Sequence, residues 1–272
     1  MATEQNVQNG TNQSVERAVA LLRAFVDGRP EMRVGDIAKV TGIGQSTVSR
    51  QLATLEGLGL VERDDLSGTY RLGLDLLTYA SVAVNQHPVH RESRQIAQDL
   101  ACRLGLGANV AVLRHAQVFY LCHFEGRLAP KSYSLMGRRN PLHATALGKA
   151  LLLGVAPAER AELIGPEPVR YTAHTITDPA ELDAQLATGA VDGCTVEIEE
   201  LALGRCCLAA PIRDAGGRVV AALSLSGPLS AMDMSRRRDE LAAVAIEAAD
   251  SIASGLGLVV ALPRPADVPW PA

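Results

Sequence analysis

The stretch that decides the fold of the N-terminal part is 36–59, DIAKVTGIGQSTVSRQLATLEGLG. Gly42 supplies a point where the backbone can turn without the hindrance of a Cβ. Beyond it Val48, Leu52 and Leu55 recur at the spacing of one helical face. The expectation is two short helices joined by a tight turn and clamped by Ile37, Val40, Ile43, Val48, Leu52 and Leu55. With that side of the second helix buried, its other side presents Gln45, Ser46, Thr47, Ser49 and Arg50. Donors and acceptors gathered at a helix N-terminus suit base edges and phosphates in a DNA major groove, and the free amides there add attraction for phosphate.

Upstream, Val15, Ala18, Val19, Leu22 and Phe25 repeat at helical spacing behind Ser14, a plausible cap, and Gly28 and Pro30 end the run. Downstream, 61–64 and 69–72 read as two short strands around the turn cluster 65–68, flanked by Arg63 and Arg71 within reach of a sugar-phosphate backbone. Three helices and a two-stranded wing over 14–74 define a winged helix-turn-helix. A structural three-helix unit with an ordinary solvated surface has the same pattern, and the segment is not basic, so charge does not separate the two.

The residues before it, 1–13, are rich in Asn, Gln and Thr and read as a disordered arm. After it, a linker helix over 75–88 runs up to Pro88. With Leu74 just before it, this segment carries Leu76, Leu77, Tyr79, Ala80 and Val84, more apolar surface than one exposed helix needs, so it is expected to pack against a partner chain. The second domain, 89–260, alternates helices (89–104, 141–153, 157–164, 179–190, 235–256) with strands (109–114, 117–123, 194–198, 205–213, 218–226). Asp214-Ala215-Gly216-Gly217 is a hairpin signal between the last two strands. This is an α+β pattern built on an antiparallel sheet. The tail 261–272 is Pro-rich and expected to be disordered.

On the last strand Val219, Ala221, Leu223 and Leu225 alternate with Ala222, Ser224 and Ser226; on the strand before it, Leu208, Ala210 and Ile212 alternate with Cys207 and Ala209. One shared face is greasy, the other small and hydroxylated. The small face suits a compact polar ligand; it suits equally a helix that needs small residues for close approach. Amides opening the 141–153 helix would favour a ligand carboxylate. His143 and Lys149 lie on that helix; His143 reads as a structural histidine and Lys149 as a side chain reaching solvent.

Composition narrows the classes. The net charge of −4 argues against a uniformly basic coat, though a phosphate-binding patch needs only local charge. No apolar run approaches the length of a membrane span and no secretory signal opens the chain, so a cytoplasmic protein with no membrane partner is expected. Cys102, Cys122, Cys194, Cys206 and Cys207 form no CxxC pair, which points to reduced thiols rather than a disulfide frame or zinc ribbon; no metal and no cofactor are expected. GxSxG, P-loop, dinucleotide and HExxH motifs are all missing, so an enzyme is not expected. A metal- or redox-sensing DNA-binding protein is the alternative, motivated by Cys122-His123 and Cys206-Cys207. Neighbouring strand residues point to opposite faces, which places such pairs poorly for one ion.

Three segments together carry a resemblance. SVERAVALLRAFVDG, VGDIAKVTGIGQSTVSRQLATLEGLGLVER and GTYRLG within 14–74, PLHATALGKALL at 141–152, and EELALGRCCLAAPIRDAGGRVVAALSLSGP at 199–228 resemble the IclR family of bacterial transcriptional regulators over nearly the whole chain. The resemblance implies a GAF-like effector-binding domain and a homodimer or a dimer of dimers (homotetramer). Winged helices acting in pairs read a palindromic operator in double-stranded DNA. It also implies that a small carboxylate or polar effector is held by Ala146 and Leu147, Glu197, Cys207, Ser224 and Ser226. Ala146-Leu147 stands where some relatives carry a smaller Gly-Ala pair, and Glu197 where some carry Asp; Leu147 should therefore shrink the space or make it more apolar.

Overall fold

A computed structural model describes residues 12–129 and 134–257; the expected arm up to residue 11 and the Pro-rich tail lie outside them. The chain divides into two compact units between Ala83 and Val84.

In the first unit, α1 (Gln13–Asp27), α2 (Val34–Thr41) and α3 (Gln45–Gly57) pack around Leu21, Phe25, Ile37, Val48, Leu52 and Leu55. The strands β1 (Val61–Arg63) and β2 (Tyr70–Leu72) pair antiparallel and add Val61 and Tyr70 to that core. Asn12, not Ser14, caps α1, its Oδ1 accepting the Ser14 amide at 3.2 Å. Gly42 takes the left-handed conformation (φ 69°) and donates to the Ala38 carbonyl, closing α2 where the turn begins. Val40 is not part of the clamp: it is 62% exposed. The inward stripe of α2 runs through Val34, Ile37 and Ala38, and Val40 falls outside its arc. The boundary falls within α4 (Asp75–Gln86), none of whose residues is buried.

The second unit opens with α5 (Pro88–Leu104), which takes Pro88 as its first residue, where a missing N–H costs nothing. The strands β3 (Gly107–Arg114) and β4 (Gln117–Phe124) form a hairpin over His115 and Ala116, both at positive φ (50° and 58°). Then come β5 (Arg139–Asn140), α6 (Ala146–Leu152), α7 (Pro157–Ile164), α8 (Pro179–Asp192), β6 (Thr195–Ile198), β7 (Arg205–Arg213), β8 (Val219–Pro228), α9 (Leu229–Met232) and α10 (Met234–Gly255). The six strands make one antiparallel sheet in the order β5-β4-β3-β8-β7-β6. Asp214 holds the β7–β8 hairpin, its Oδ1 accepting the Gly216 and Arg218 amides.

The alternation on β7 and β8 sorts the core into two. Leu208, Ala210, Ile212, Ala221, Leu223 and Leu225 face α5 and α10, while Ala209 and Ala222 face α6. Val219 breaks the expected pattern and packs on the α6 side. A bulge beside Ile212 and Arg213 adds one residue to β8, so Val220 takes the α10 side instead.

The helix expected over 141–153 starts later. Asn140 is captured by β4, pairing with Val118, and its side-chain amide donates to the Tyr120 hydroxyl instead of capping a helix. Thr145 is the cap: its Oγ1 accepts the Gly148 amide at 3.0 Å and donates to the Pro141 carbonyl at 2.9 Å. His143 therefore sits in the turn before α6, bonded to the Val169 carbonyl. A Cβ at Gly148 would fall on the Leu142 backbone, too close for any side chain. Gly148→Ala should cost about 1–3 kcal/mol of stability in the second unit by overpacking, read as a lower urea midpoint at unchanged slope; an unaltered midpoint would contradict this packing.

Candidate functional site

Two places collect chemistry. In the first unit, α3 buries Val48, Leu52 and Leu55 and leaves Gln45, Ser46, Ser49 and Arg50 exposed, with Thr47 half-buried. Gly44 precedes the helix without a side-chain cap, so the first amides of α3 are open to an incoming acceptor. The two wing arginines differ. Arg71 donates through Nε and one Nη to Glu62 at 3.0 and 2.9 Å, whereas Arg63 lies over the Tyr70 ring, 5.9 Å from its centroid. An exposed, solvent-screened pair of that kind is weak, so Arg71 can exchange Glu62 for a phosphate at little cost. The wing tip itself carries fixed negative charge. Asp64 accepts the Ser67 and Leu66 amides, and the Ser67 amide above all holds its carboxyl below the usual range.

In the second unit, the α6-side face of the sheet opens into a cavity of about 220 Å³. Its floor follows from strand register. One cross-strand row runs Glu197, Cys207, Ser226, Gly107; the next runs Thr195, Ala209, Ser224, Asn109, His123. Small side chains fill the middle of both rows and leave the space. Gly107 is required there, because a Cβ would approach the Ser226 hydroxyl to 2.6 Å. Ala146 and Leu147 of α6, with Leu135, Leu201 and Ala202, supply the apolar walls. All six residues named for an effector, Ala146, Leu147, Glu197, Cys207, Ser224 and Ser226, line this one cavity.

The polar groups are organised. Asn109 donates to the Ser224 and Ser226 hydroxyls, both at 3.3 Å, and its oxygen meets His123 Nδ1 at 2.7 Å. Glu197, 3% exposed, accepts the Glu200 and Leu201 amides at 2.6 and 3.2 Å and so pins the loop after β6. Burial pushes its carboxyl up, the two amides opposing. Burial likewise raises the Tyr120 phenol to about 12 and the Cys207 thiol well above its ordinary value. Tyr120 and Cys207 therefore present an O–H and an S–H donor rather than charge.

The two sequence models that match are those of the IclR helix-turn-helix domain, over residues 14–65, and of the bacterial transcriptional regulator IclR C-terminal domain, over residues 81–254. This chain belongs to the IclR family. The HTH-type transcriptional regulator XynR of Escherichia coli is 34% identical over 222 residues, 81% of this chain and 88% of its own length. The glycerol operon regulatory protein of Streptomyces coelicolor is 30% identical over 246 residues, 90% and 96% of the two chains. An IclR homolog from Microbacterium hydrocarbonoxydans, solved in complex with 4-hydroxybenzoate, superposes with a TM-score of 0.75 at 27% identity, covering 90% of this chain and all of its own (100%). The protein is a DNA-binding transcriptional regulator of the IclR type with a C-terminal effector domain.

Several residues of this IclR-family chain escaped sequence reasoning. Asn109, Tyr120, Asn140 and Arg205 line the cavity, brought in by register and by β5, a two-residue strand with no periodicity to detect. Lys149 does not reach solvent: it is 1% exposed, its Nζ 2.5 Å from Glu200 Oε1 and 2.6 Å from Gln185 Oε1. Burial pulls Lys149 down and Glu200 up, each charge partly restoring the other. The cysteines motivating a metal or redox sensor separate as the pleat requires. Cys206 packs under α5 and α10 while Cys207 lines the cavity, and Cys122 contacts Ser93 while His123 turns to Asn109. Among the described residues no helix is long and apolar enough to cross a membrane.

The raised Glu197 carboxyl has a measurable consequence. Folding favours its protonated form, so the stability it contributes is complete below its ordinary value of 4.5 and is lost as pH rises through the raised folded-state value. Glu197→Gln keeps an acceptor for both amides and removes the titration. The urea midpoint of the second unit should therefore fall more with rising pH in the wild type than in this variant; parallel profiles would contradict the assignment.

Proposed function

We propose that the protein switches its hold on DNA in response to a small carboxylate or polar metabolite bound in the cavity between the sheet and α6. The observation that carries this reading is the convergence of Glu197, Cys207, Ser224 and Ser226 with Ala146 and Leu147 on one cavity. Its volume suits a metabolite rather than a drug-sized molecule. The 4-hydroxybenzoate in the structurally similar IclR homolog supports a ligand of that size.

On the DNA side, α3 enters the major groove with Gln45, Ser46, Thr47, Ser49 and Arg50 towards base edges and phosphates, and Arg63 and Arg71 add backbone contacts from the wing. Two copies read a palindromic operator. Leu77, Tyr79 and Val82 of α4, with Leu74 just before it, are 52–70% exposed. Burying what remains exposed of these four side chains against a second copy gains about 4–8 kcal/mol before the cost of association, which supports a homodimer, or two dimers assembled into a tetramer. An effector that favours one arrangement of the pair shifts operator affinity by its differential affinity alone, about 1–3 kcal/mol in typical coupled systems.

Two experiments test this. Fluorescence anisotropy on the duplex upstream of the chain's own gene should show Arg50→Ala weakened by about five- to a hundredfold, and Ser224→Ala with Ser226→Ala unresponsive to metabolites that shift the wild type. A wild-type response in the serine variant would move the effector elsewhere. Leu77→Asp should lower the mass seen by light scattering towards that of one chain; an unchanged mass would remove α4 from the interface.

A further inference from the structure

Arg205 is the only cation among the described residues lining the cavity. It opens β7 two residues before Cys207 and so shares its face of the sheet, beyond the row of Glu197, Cys207 and Ser226. Its backbone is fixed on both sides: it pairs with Pro228, and its carbonyl accepts the Glu199 amide at 2.9 Å. Its positive charge reaches the Tyr120 phenol and the Cys207 thiol. Among the described residues, however, no hydrogen bond or ion pair engages its guanidinium.

The acid across the strands does not fill that role. Glu197 Oε1 is occupied by the Glu200 and Leu201 amides, and burial holds the carboxyl towards its neutral form. A half-buried guanidinium thus faces a cavity whose other polar groups are hydroxyls, amides, a phenol, a thiol and the Glu197 carboxyl, which the loop amides already engage. Its planar pair of N–H donors matches a carboxylate in a two-point contact.

The far end of the cavity sets the rest of the ligand. Asn109 uses its amide hydrogens on Ser224 and Ser226, leaving both serine O–H groups free to donate. Tyr120 accepts from Asn140 and keeps its own O–H. Those donors require an oxygen acceptor; the serines stand on β8, one strand from Arg205, and Tyr120 on β4, three strands from it, so roughly 5 and 14 Å across the sheet at the backbone level. We infer that Arg205 is the residue that selects the charge of the effector, and that the cavity takes a monocarboxylate with its carboxylate on Arg205 and a hydroxyl or carbonyl oxygen against Ser224, Ser226 and Tyr120. The inference rests on the cavity being the effector site.

The test is calorimetric titration of the full-length chain with short hydroxy- and oxo-monocarboxylates, 4-hydroxybenzoate among them, each beside its primary amide. At least one acid should bind the wild type about tenfold or more tightly than its amide. Arg205→Gln should lose that preference by weakening the acid alone, and Arg205→Lys should restore part of it. Equal binding of acid and amide, undiminished acid binding by Arg205→Gln, or no binding by any acid of the panel would overturn the inference. Ser224→Ala with Ser226→Ala separates the two levels. If it weakens acid and amide alike, the cavity is the site whatever Arg205 does; if it weakens neither, the cavity reading itself falls.

Discussion

The polar floor of the cavity exists because the opposite face of the same strands is sealed. Leu208, Ile212, Leu223 and Leu225 have no exposed surface and pack against α5 and α10. Full burial of four such side chains is worth about 6–12 kcal/mol. That exceeds the cost of desolvating a few polar groups, about 1–3 kcal/mol for each left unpaired, and Asn109, Ser224 and Ser226 are paired with one another. The greasy face fixes the register, since a slip of one residue would put every leucine into the cavity. The register in turn brings Glu197, Cys207 and Ser226 into one row.

The loop after β6 is the structural joint of this arrangement. Glu197 faces the cavity and holds the amides of Glu200 and Leu201; Glu200 turns the other way and meets Lys149, three residues beyond Ala146 on α6. Thr175 adds a hydroxyl to the Glu200 carbonyl at 2.6 Å. A molecule that displaces Glu197 or Leu201 therefore pulls on a buried ion pair as well as on a loop. Breaking such a pair by removing one partner costs about 3–5 kcal/mol, so the joint is stiff and moves as a unit.

Much of this was legible from pattern. Helices with a clear stripe, the Gly42 turn and the Asp214 hairpin follow from local chemistry, and so do the opposing faces of β7 and β8. The cavity residues Cys207, Ser224 and Ser226 stood out because the pleat alternates them with leucines. What pattern could not reach came from contacts between distant segments. Val219 changed sides through one extra residue; Asn140 left a helix cap for an edge strand; Val40 lay just off its stripe. Lys149 looked like a solvent-seeking chain because its partners, Gln185 and Glu200, lie far along the sequence. Arg205 gave no signal at all, since a single arginine at the start of a strand has no periodicity. Only the shared face with Cys207 makes it part of a site.

Hydrogen exchange read by mass spectrometry, on the full-length chain with and without a metabolite that alters its DNA affinity, tests the central claim most directly. Protection should concentrate in 195–207 and 222–228 and at the start of α6, the segments that frame the cavity. Protection confined to other segments of the second unit, with 195–207 and 222–228 unchanged, would contradict the account.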